Sequence, residues 1–337
     1  MRYLFLVFSL FFVACGSPET TDEITLRGEA FGTAYAVKYY DASVKAPEVQ
    51  KGIDSVIYRV NKSMSTYIPQ SDISKINRGD TTVIVDGMFK EVFTLSRKVY
   101  ETTNHYFDPT VGGLRNAYGF GDTKPIAVFD RARLDSMMQY VGLDKIAISP
   151  NGKVSKKYPE IYLDFNAVAK GYGIDRIAVY LKSRGLQHFL IELGGEVRGS
   201  GFNQRSLKPW TVGVESVNSN QENRSHVAIV ALENLSMASS GNYRKNRIDE
   251  QTGQQYVHTI NPLTGSAEKS DVLGATVIAA DCATADAYAT AFMAMGLERS
   301  KDVLAQIMDV EAYLVYAKEN DTTGTYVTAG FEKLLLK

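Results

Sequence analysis

The stretch Val272-Leu-Gly-Ala-Thr-Val-Ile-Ala-Ala280, followed through Asp281-Cys282 by Ala283-Thr-Ala-Asp-Ala-Tyr-Ala-Thr-Ala-Phe-Met-Ala-Met295, decides the fold class. Its first part is a short apolar run with β-branched residues, which predicts a strand. Its second part is rich in alanine and predicts a helix from about Ala283 to Met295. Toward the C-terminus, Ala312 to Ala317 and Tyr326 to Phe331, separated by a polar stretch with Gly324, read as a closing hairpin. Toward the N-terminus lie Val227 to Leu232, Thr211 to Glu215 and Phe189 to Leu193, the last ending in Gly194-Gly195. The second half is therefore rich in strands. In the first half, Ile24 to Tyr40 reads as two strands around Gly28 and Gly32. Val49, Ile53, Val56, Ile57, Val60 and Met64 fall at helical spacing, as do Phe89, Val92, Phe93 and Val99. A third helix is expected from about Ala167 to Leu181, preceded by a strand from Glu160 to Asp164. Strands and helices mix without strict alternation, so the class is α+β and not a doubly wound sheet. No repeat, low-complexity segment or linker divides the body, which reads as one large mixed domain over 25–337.

Composition sets the outer limits. The chain has 337 residues, of which 45% are hydrophobic and 22% charged, enough to bury a sizeable core. A net charge of -1 argues against a nucleic-acid binder, which would show a basic surplus. The 20 Tyr and 15 Phe can fill a core and leave some rings to stack on a planar ligand. At the N-terminus, Arg2 precedes an apolar run from Tyr3 to Ala14, broken only by Ser9, and then Cys15-Gly16-Ser17. That is the pattern of a secretory signal, and it is shorter than the ~20 apolar residues that span a bilayer. Cys15 just past Ala14 resembles the acylated Cys of a lipoprotein box, although Phe12 and Val13 depart from its usual residues. We therefore expect a signal over 1–14, a polar tether over 15–24, and an exported protein anchored by lipid on the periplasmic face. Cys282 is the only other cysteine, so acylation of Cys15 leaves no intrachain disulfide, and Cys282 reads as a small buried filler.

Several short constellations carry possible chemistry. Asp286 and Thr290 lie one helical turn apart and offer a carboxylate and a hydroxyl, hard donors suited to Mg²⁺. Read alone, the same Asp also fits a role near a helix start, where its charge favours the dipole. In Leu163-Asp-Phe-Asn-Ala-Val-Ala-Lys-Gly-Tyr-Gly173, the predicted strand turns into a helix that carries Lys170. Its first amides could hold an anion and Asp164 could accept from a heterocycle, or Asp164 could be a cap and Lys170 solvated. His258, one of only four histidines, stands beside the Asn261-Pro262 turn signal, where it could accept a proton or be purely structural. Tyr106-Phe-Asp-Pro-Thr-Val-Gly-Gly-Leu114 brings aromatics and an Asp into a glycine turn.

Taken together, these segments resemble the bacterial ApbE-like flavin transferases, the FAD:protein FMN transferases. The resemblance runs through Met64-Ser-Thr-Tyr67 with Ser71-Asp72 and Asn77, Phe107 to Gly112, and Tyr118-Gly-Phe-Gly121. It continues through Asp164 to Gly171, Leu193-Gly-Gly195, Ser239-Ser-Gly241 with Tyr243, His258 to Gly265, and Ala285-Asp286 to Thr290, in the family's order. It implies an ApbE/T-fold-like domain that binds FAD, uses Mg²⁺ and moves FMN onto a Thr or Ser hydroxyl of an acceptor protein, with release of AMP. By position it implies Asp286 and Thr290 as side-chain metal ligands and Ala167 as a backbone ligand. Phe31, Tyr67, Tyr106, Phe107, Asp108, Asp164, Lys170 and Ile260 match positions that line the nucleotide site, and His258 matches the proposed general base. The resemblance suggests membrane redox subunits as acceptors. Four positions depart from the pattern: Phe31 for Met, Asn166 for Gly or Ser, Asn261 for Asp, and Ala289 for a carboxylate found in some members. The last predicts a metal with fewer protein ligands and more water. Two alternatives share these residues, an FAD pyrophosphatase in which water replaces the protein hydroxyl, and a non-catalytic FAD-binding lipoprotein.

Overall fold

The computed structural model describes residues 22–41, 43–126, 129–217, 219, 225–241, 246–248, 255–319 and 322–336. The signal over 1–14 and Cys15 lie outside these residues. The first half runs β1 (Ile24–Ala30), β2 (Thr33–Tyr39), α1 (Ala46–Met64), α2 (Asp72–Asn77), α3 (Gly87–Thr102), α4 (Gly112–Ala117) and α5 (Arg131–Met138). The short strands β3 (Ile146–Ile148) and β4 (Val154–Lys156) lead to α6 (Ala169–Ser183). Strands then dominate: β5 (Phe189–Leu193), β6 (Glu196–Ser200), β7 (Phe202–Asn203), β8 (Lys208–Glu215), β9 (His226–Leu232) and β10 (Ser236–Gly241). The chain ends with β11 (Asn246–Ile248), β12 (Gln255–Val257), β13 (Val272–Ala279), α7 (Cys282–Met295), α8 (Leu297–Leu304), β14 (Val310–Ala317), β15 (Thr323–Val327) and α9 (Ala329–Leu334).

Among the described residues the main sheet has eight strands in the order β1-β2-β5-β6-β10-β13-β14-β15. Every neighbouring pair in it is antiparallel. Helices segregated against an antiparallel sheet make this an α+β domain, as expected. The period-2 pleat divides the strand residues between two cores. Ala275, Val277 and Ala279 of β13 and Ala238 of β10 face the main core, shared with α1, α3, α6 and α7. Ile278 and Met237 point the other way, into a smaller core with Val214 of β8, Val230 and Leu232 of β9, and Phe331 of α9. Because β13 is covered on both faces, it reads as a continuous apolar run.

Helix α7 follows from its composition and its ends. Asp281 caps it by accepting from the Thr284 N–H at 2.8 Å. Gly296, at φ 78°, stops it in a conformation that glycine adopts without strain. Apart from Thr290 and Ala294, every residue of α7 is buried. A helix apolar on all sides belongs inside a domain.

Two expected elements differ. Glu160 to Asp164 is not a strand; it makes one parallel bridge, Val111 with Tyr162, because Asn77 takes the Leu163 N–H and carbonyl that a ladder would use. Tyr326 to Phe331 starts in β15 but ends in α9, since Thr328 turns extended at φ -74° and ψ 152° and starts a helix that buries Phe331. Ile24, assigned to the tether, already pairs with Tyr39 in the sheet.

Candidate active site

The site is built at one end of the sheet, where three elements meet. The β1–β2 turn carries Phe31, the first turn of α6 carries Lys170 and Gly171, and α7 carries Asp286. Asp286 is 3% exposed. Its Oδ2 accepts the Gly171 N–H at 3.1 Å, and its Oδ1 lies 3.9 Å from Lys170 Nζ. Lys170 also forms an ion pair with Oε1 of buried Glu196, the first residue of β6. Burial pushes the Asp286 carboxyl up to about 7 against the pull of Lys170. Burial alone would lower the Lys170 pKa, but the Asp286 and Glu196 carboxylates outweigh it and hold the ammonium charged. Glu196 Oε2 is buried with no hydrogen-bond partner among the described residues.

One backbone detail bears on a cation. In a regular helix the Gly171 N–H would donate to the carbonyl of Ala167, four residues back. Here it donates to Asp286 instead. The neighbouring Tyr172 N–H does bond Val168, so the Ala167 carbonyl, just before α6, accepts no backbone N–H among the described residues. Thr290, half-buried, follows Asp286 by one turn of α7. A buried carboxylate, a released carbonyl and a hydroxyl form an oxygen donor set that fits Mg²⁺. Among the described residues no cluster of three or more His, Cys, Asp or Glu side chains could serve in its place. Ala289, the position without a carboxylate, is fully buried in the main core.

Phe31 sits at φ 52°, a conformation that a bulky residue rarely adopts. Its ring lies over α6 at Gly173, where an added Cβ would come within 2.4 Å of the ring. Gly173 thus makes room for an aromatic plate beside the Lys170 pole. A second group forms around Asp164. Its Oδ2 pairs with Arg115 Nη1 at 2.6 Å, and Arg115 Nη2 donates to the Tyr67 hydroxyl at 3.1 Å. Arg115 therefore pins the edge of the Tyr67 ring while 56% of that residue stays exposed, as a stacking platform would. Asp164 does not cap α6; its Oδ1 accepts from the Asn166 N–H at 2.8 Å in the turn before it.

The Asp164 N–H donates to Pro109, which ties this group to the segment 106–112. There Asp108 is buried, with Oδ1 accepting from the Thr110 N–H and hydroxyl at 2.8 and 2.6 Å. Burial raises its pKa to about 6, opposed by those bonds. Tyr106 is half-buried beneath the Arg299 guanidinium, 5.5 Å from the ring centre. Phe107, at 3% exposure, belongs to the main core, so only its backbone can meet a ligand. Ile260 is likewise buried, packed with Leu114 and Tyr118 of the α4 region. His258 follows β12 on a loop closed by Val257 N–H to Ala267 carbonyl and Asn261 N–H to Ser266 carbonyl, both 2.8 Å. Tyr118 straps that loop to α4 through its hydroxyl, which donates to the Gly265 carbonyl at 3.0 Å. Asn261 is a turn former here, accepting from the Leu263 N–H at 3.0 Å, which an Asp would do equally well. Pro262 and Leu263 of this loop and Asp108 line one cleft of about 410 Å³.

The structure thus joins Lys170 to Asp286 at the start of α6, directly after Ala167 and beside the Phe31 ring at Gly173, and links Tyr67 and Asp164 through Arg115. It joins Asp108 to the His258 loop through the shared cleft. Sequence reasoning missed Glu196, although it directly follows Leu193-Gly-Gly195, and Arg115, which carries no sequence signal.

The profile of the ApbE family matches residues 31–314. The FAD:protein FMN transferase of Haemophilus influenzae is 32% identical, over 93% of this chain and 92% of its own. That of Vibrio cholerae is 31% identical over the full length of both. The solved structure of the flavin transferase ApbE from Vibrio cholerae superposes with a TM-score of 0.83 at 30% identity, covering 93% of this chain and 99% of that one. With its fold, its motifs and nearly its whole length in common with these proteins, the chain belongs to the ApbE family.

Proposed function

We infer that the protein is an FAD:protein FMN transferase that moves FMN from FAD onto a Thr or Ser hydroxyl of an acceptor protein. The observation that carries this reading is the pole at the start of α6, where buried Asp286 takes the Gly171 N–H and so frees the Ala167 carbonyl. A pure FAD store has no use for such a donor set. Asp286, Thr290 and the Ala167 carbonyl would hold Mg²⁺. When bound, the ion would neutralise charge on the pyrophosphate oxygens, the largest contribution available in phosphoryl transfer.

The chain's own residues position the rest. Lys170 is fixed between Asp286 and Glu196, where it offers a permanent positive charge to a phosphate. Phe31 and Tyr67 offer faces to planar rings. Arg115 and Asp164 form a hydrogen-bonding edge beside Tyr67. The acceptor hydroxyl attacks the phosphorus on the FMN side and its proton passes to a ring nitrogen of His258. The bond to the AMP phosphate breaks, and AMP leaves. We also propose that Cys15 is acylated and holds the enzyme on the periplasmic face of a membrane, near membrane-bound acceptors.

The test is incubation with FAD, Mg²⁺ and an acceptor domain, followed by the mass of the acceptor and the yield of AMP. Covalent FMN on the acceptor with equimolar AMP is expected. Free FMN with an unmodified acceptor would establish hydrolysis instead, and intact FAD would leave only binding.

A further inference from the structure

The main sheet has two distinguishable ends. In the hairpin of β1 and β2, Phe31 marks the catalytic end, and the pair Ile24–Tyr39 marks the other. In the hairpin of β5 and β6, Glu196 marks the catalytic end, and the pair Phe189–Ser200 marks the other. Both hairpins agree on direction, because Tyr39 pairs with Phe189 across β2 and β5. The described chain therefore begins at the end opposite the site.

That starting point is pinned. Glu23 forms an ion pair with Lys38 at 3.2 Å, and the Tyr40 hydroxyl lies 3.1 Å from Glu23 Oε2 and 2.8 Å from Asn203 Oδ1. Asn203 is the base of the turn between β7 and β8. Its Oδ1 also accepts the N–H groups of Arg205 and Ser206 at 3.0 and 3.1 Å, so the tip is held rigidly beside Glu23. Trp210, stacked on Tyr40 and 3% exposed, fixes the base of the same turn in the body.

At this tip Leu207 is 76% exposed and sits at φ 54°. Both facts oppose stability. A bulky apolar residue gains nothing in water, and the left-handed region suits Gly or Asn better. Arg205 and Lys208 flank it, both exposed. Of the nearby carboxylates, Glu23 is paired, Asp22 next to it is exposed, and Glu233 stands on the adjacent turn. From Cys15 to Glu23 the chain spans less than about 30 Å even fully extended. An acyl group on Cys15 would therefore hold this end of the sheet, and this tip, within about 30 Å of the lipid surface.

We propose that the β7–β8 tip is a membrane-contact element, with Leu207 inserted among the headgroups of an anionic bilayer and Arg205 and Lys208 on its phosphates. An apolar residue flanked by basic ones is the chemistry of interfacial binding. The proposal rests on the reading of Cys15 as lipidated, and it turns the catalytic end of the sheet away from the lipid.

The test uses the full lipidated chain with Leu207→Cys carrying an environment-sensitive fluorophore; Cys282 is buried and does not compete for the label. A second protein carries the label at Glu29→Cys, near Phe31. On vesicles of phosphatidylethanolamine and phosphatidylglycerol, a blue shift with quenching by lipid-borne quenchers is expected at 207 and absent at 29. No shift at 207, or equal shifts at both positions, would overturn the proposal. In the unanchored Cys15→Ser protein, Arg205→Glu with Lys208→Glu should lower partition onto phosphatidylglycerol vesicles about tenfold or more. Unchanged partition would also overturn it. An N-terminal peptide without acyl mass would defeat the anchor reading alone, because the Cys15→Ser arm reads the hairpin independently.

Discussion

At the residue scale, charge and hydrogen bonding at buried carboxylates make separable predictions. Asp286→Ala removes the one carboxylate of the proposed Mg²⁺ site, and transfer should fall by roughly a hundredfold or more at limiting Mg²⁺. Lys170 keeps Glu196 as its partner, so the stability loss should stay near the ~1–3 kcal/mol expected for the orphaned Gly171 N–H. Denaturant melts beside single-turnover AMP release measure both. His258→Ala should lower kcat by about 10²–10⁴ and leave the KM for FAD nearly unchanged, because a proton acceptor acts mainly in the transition state. A KM rise with unchanged kcat would assign His258 to binding. Asp108 predicts a pH dependence. Its pKa of about 6 in the folded chain exceeds the ordinary carboxyl value, so the folded state binds the proton more tightly. Its contribution to stability is therefore lost as pH rises from about 4 to about 6, on the order of 2–3 kcal/mol. Asp108→Asn keeps an oxygen for Thr110 and removes that titration. The Tm of the variant relative to wild type should thus rise between pH 4 and pH 7; a constant difference would show that Asp108 does not titrate there.

At the scale of elements, the contact between α6 and α7 sets the geometry of the pole. A Cβ on Gly171 would lie 2.3 Å from the Cys282 carbonyl oxygen, a backbone atom that cannot turn aside. In an isolated helix Gly→Ala gains about 1 kcal/mol. Gly171→Ala should nonetheless destabilise by about 1–3 kcal/mol through overpacking and abolish transfer, because separating the helices pulls the Gly171 N–H from Asp286. The same contact explains what was legible in the sequence. β13 and α7 could be read because burial on all sides leaves an unbroken apolar signature. The Phe31 turn could be read because Gly32 punctuates it. The segment 160–164 reads as a strand because it is apolar, yet its hydrogen bonds go to the Asn77 side chain, a partner far away in sequence. Arg115 and Glu196 were invisible for the same reason. Their roles come from Asp164 and Lys170 across the fold, and neither has a local pattern that marks it.

At the scale of the whole molecule, the proposed acylation of Cys15 would make the position of the site relative to the lipid decide which acceptors can be served. Helix α6 has 15 residues and spans about 22 Å, with Lys170 at its first turn and its last turn nearer the end where the described chain begins. With the chain anchored as proposed, an acceptor hydroxyl would reach the cleft well above the lipid surface, on a part of the acceptor that projects from the membrane. The proposed anchor would leave the chemistry untouched; it would confine enzyme and acceptor to one surface and raise their effective concentration. Cys15→Ser should accordingly transfer FMN to a soluble acceptor domain at the wild-type rate. On the same acceptor reconstituted in vesicles, it should be slower than the lipidated enzyme by about 10²-fold at equal bulk concentration. The ratio of the two rates isolates location from catalysis, since any folding defect would lower both. Raising the concentration of the Cys15→Ser protein should recover the lost rate, because only encounter is impaired. Equal rates of both proteins on the reconstituted acceptor would mean that the lipid contributes nothing to encounter, and a slow rate on the soluble domain would mean that residue 15 acts on the fold.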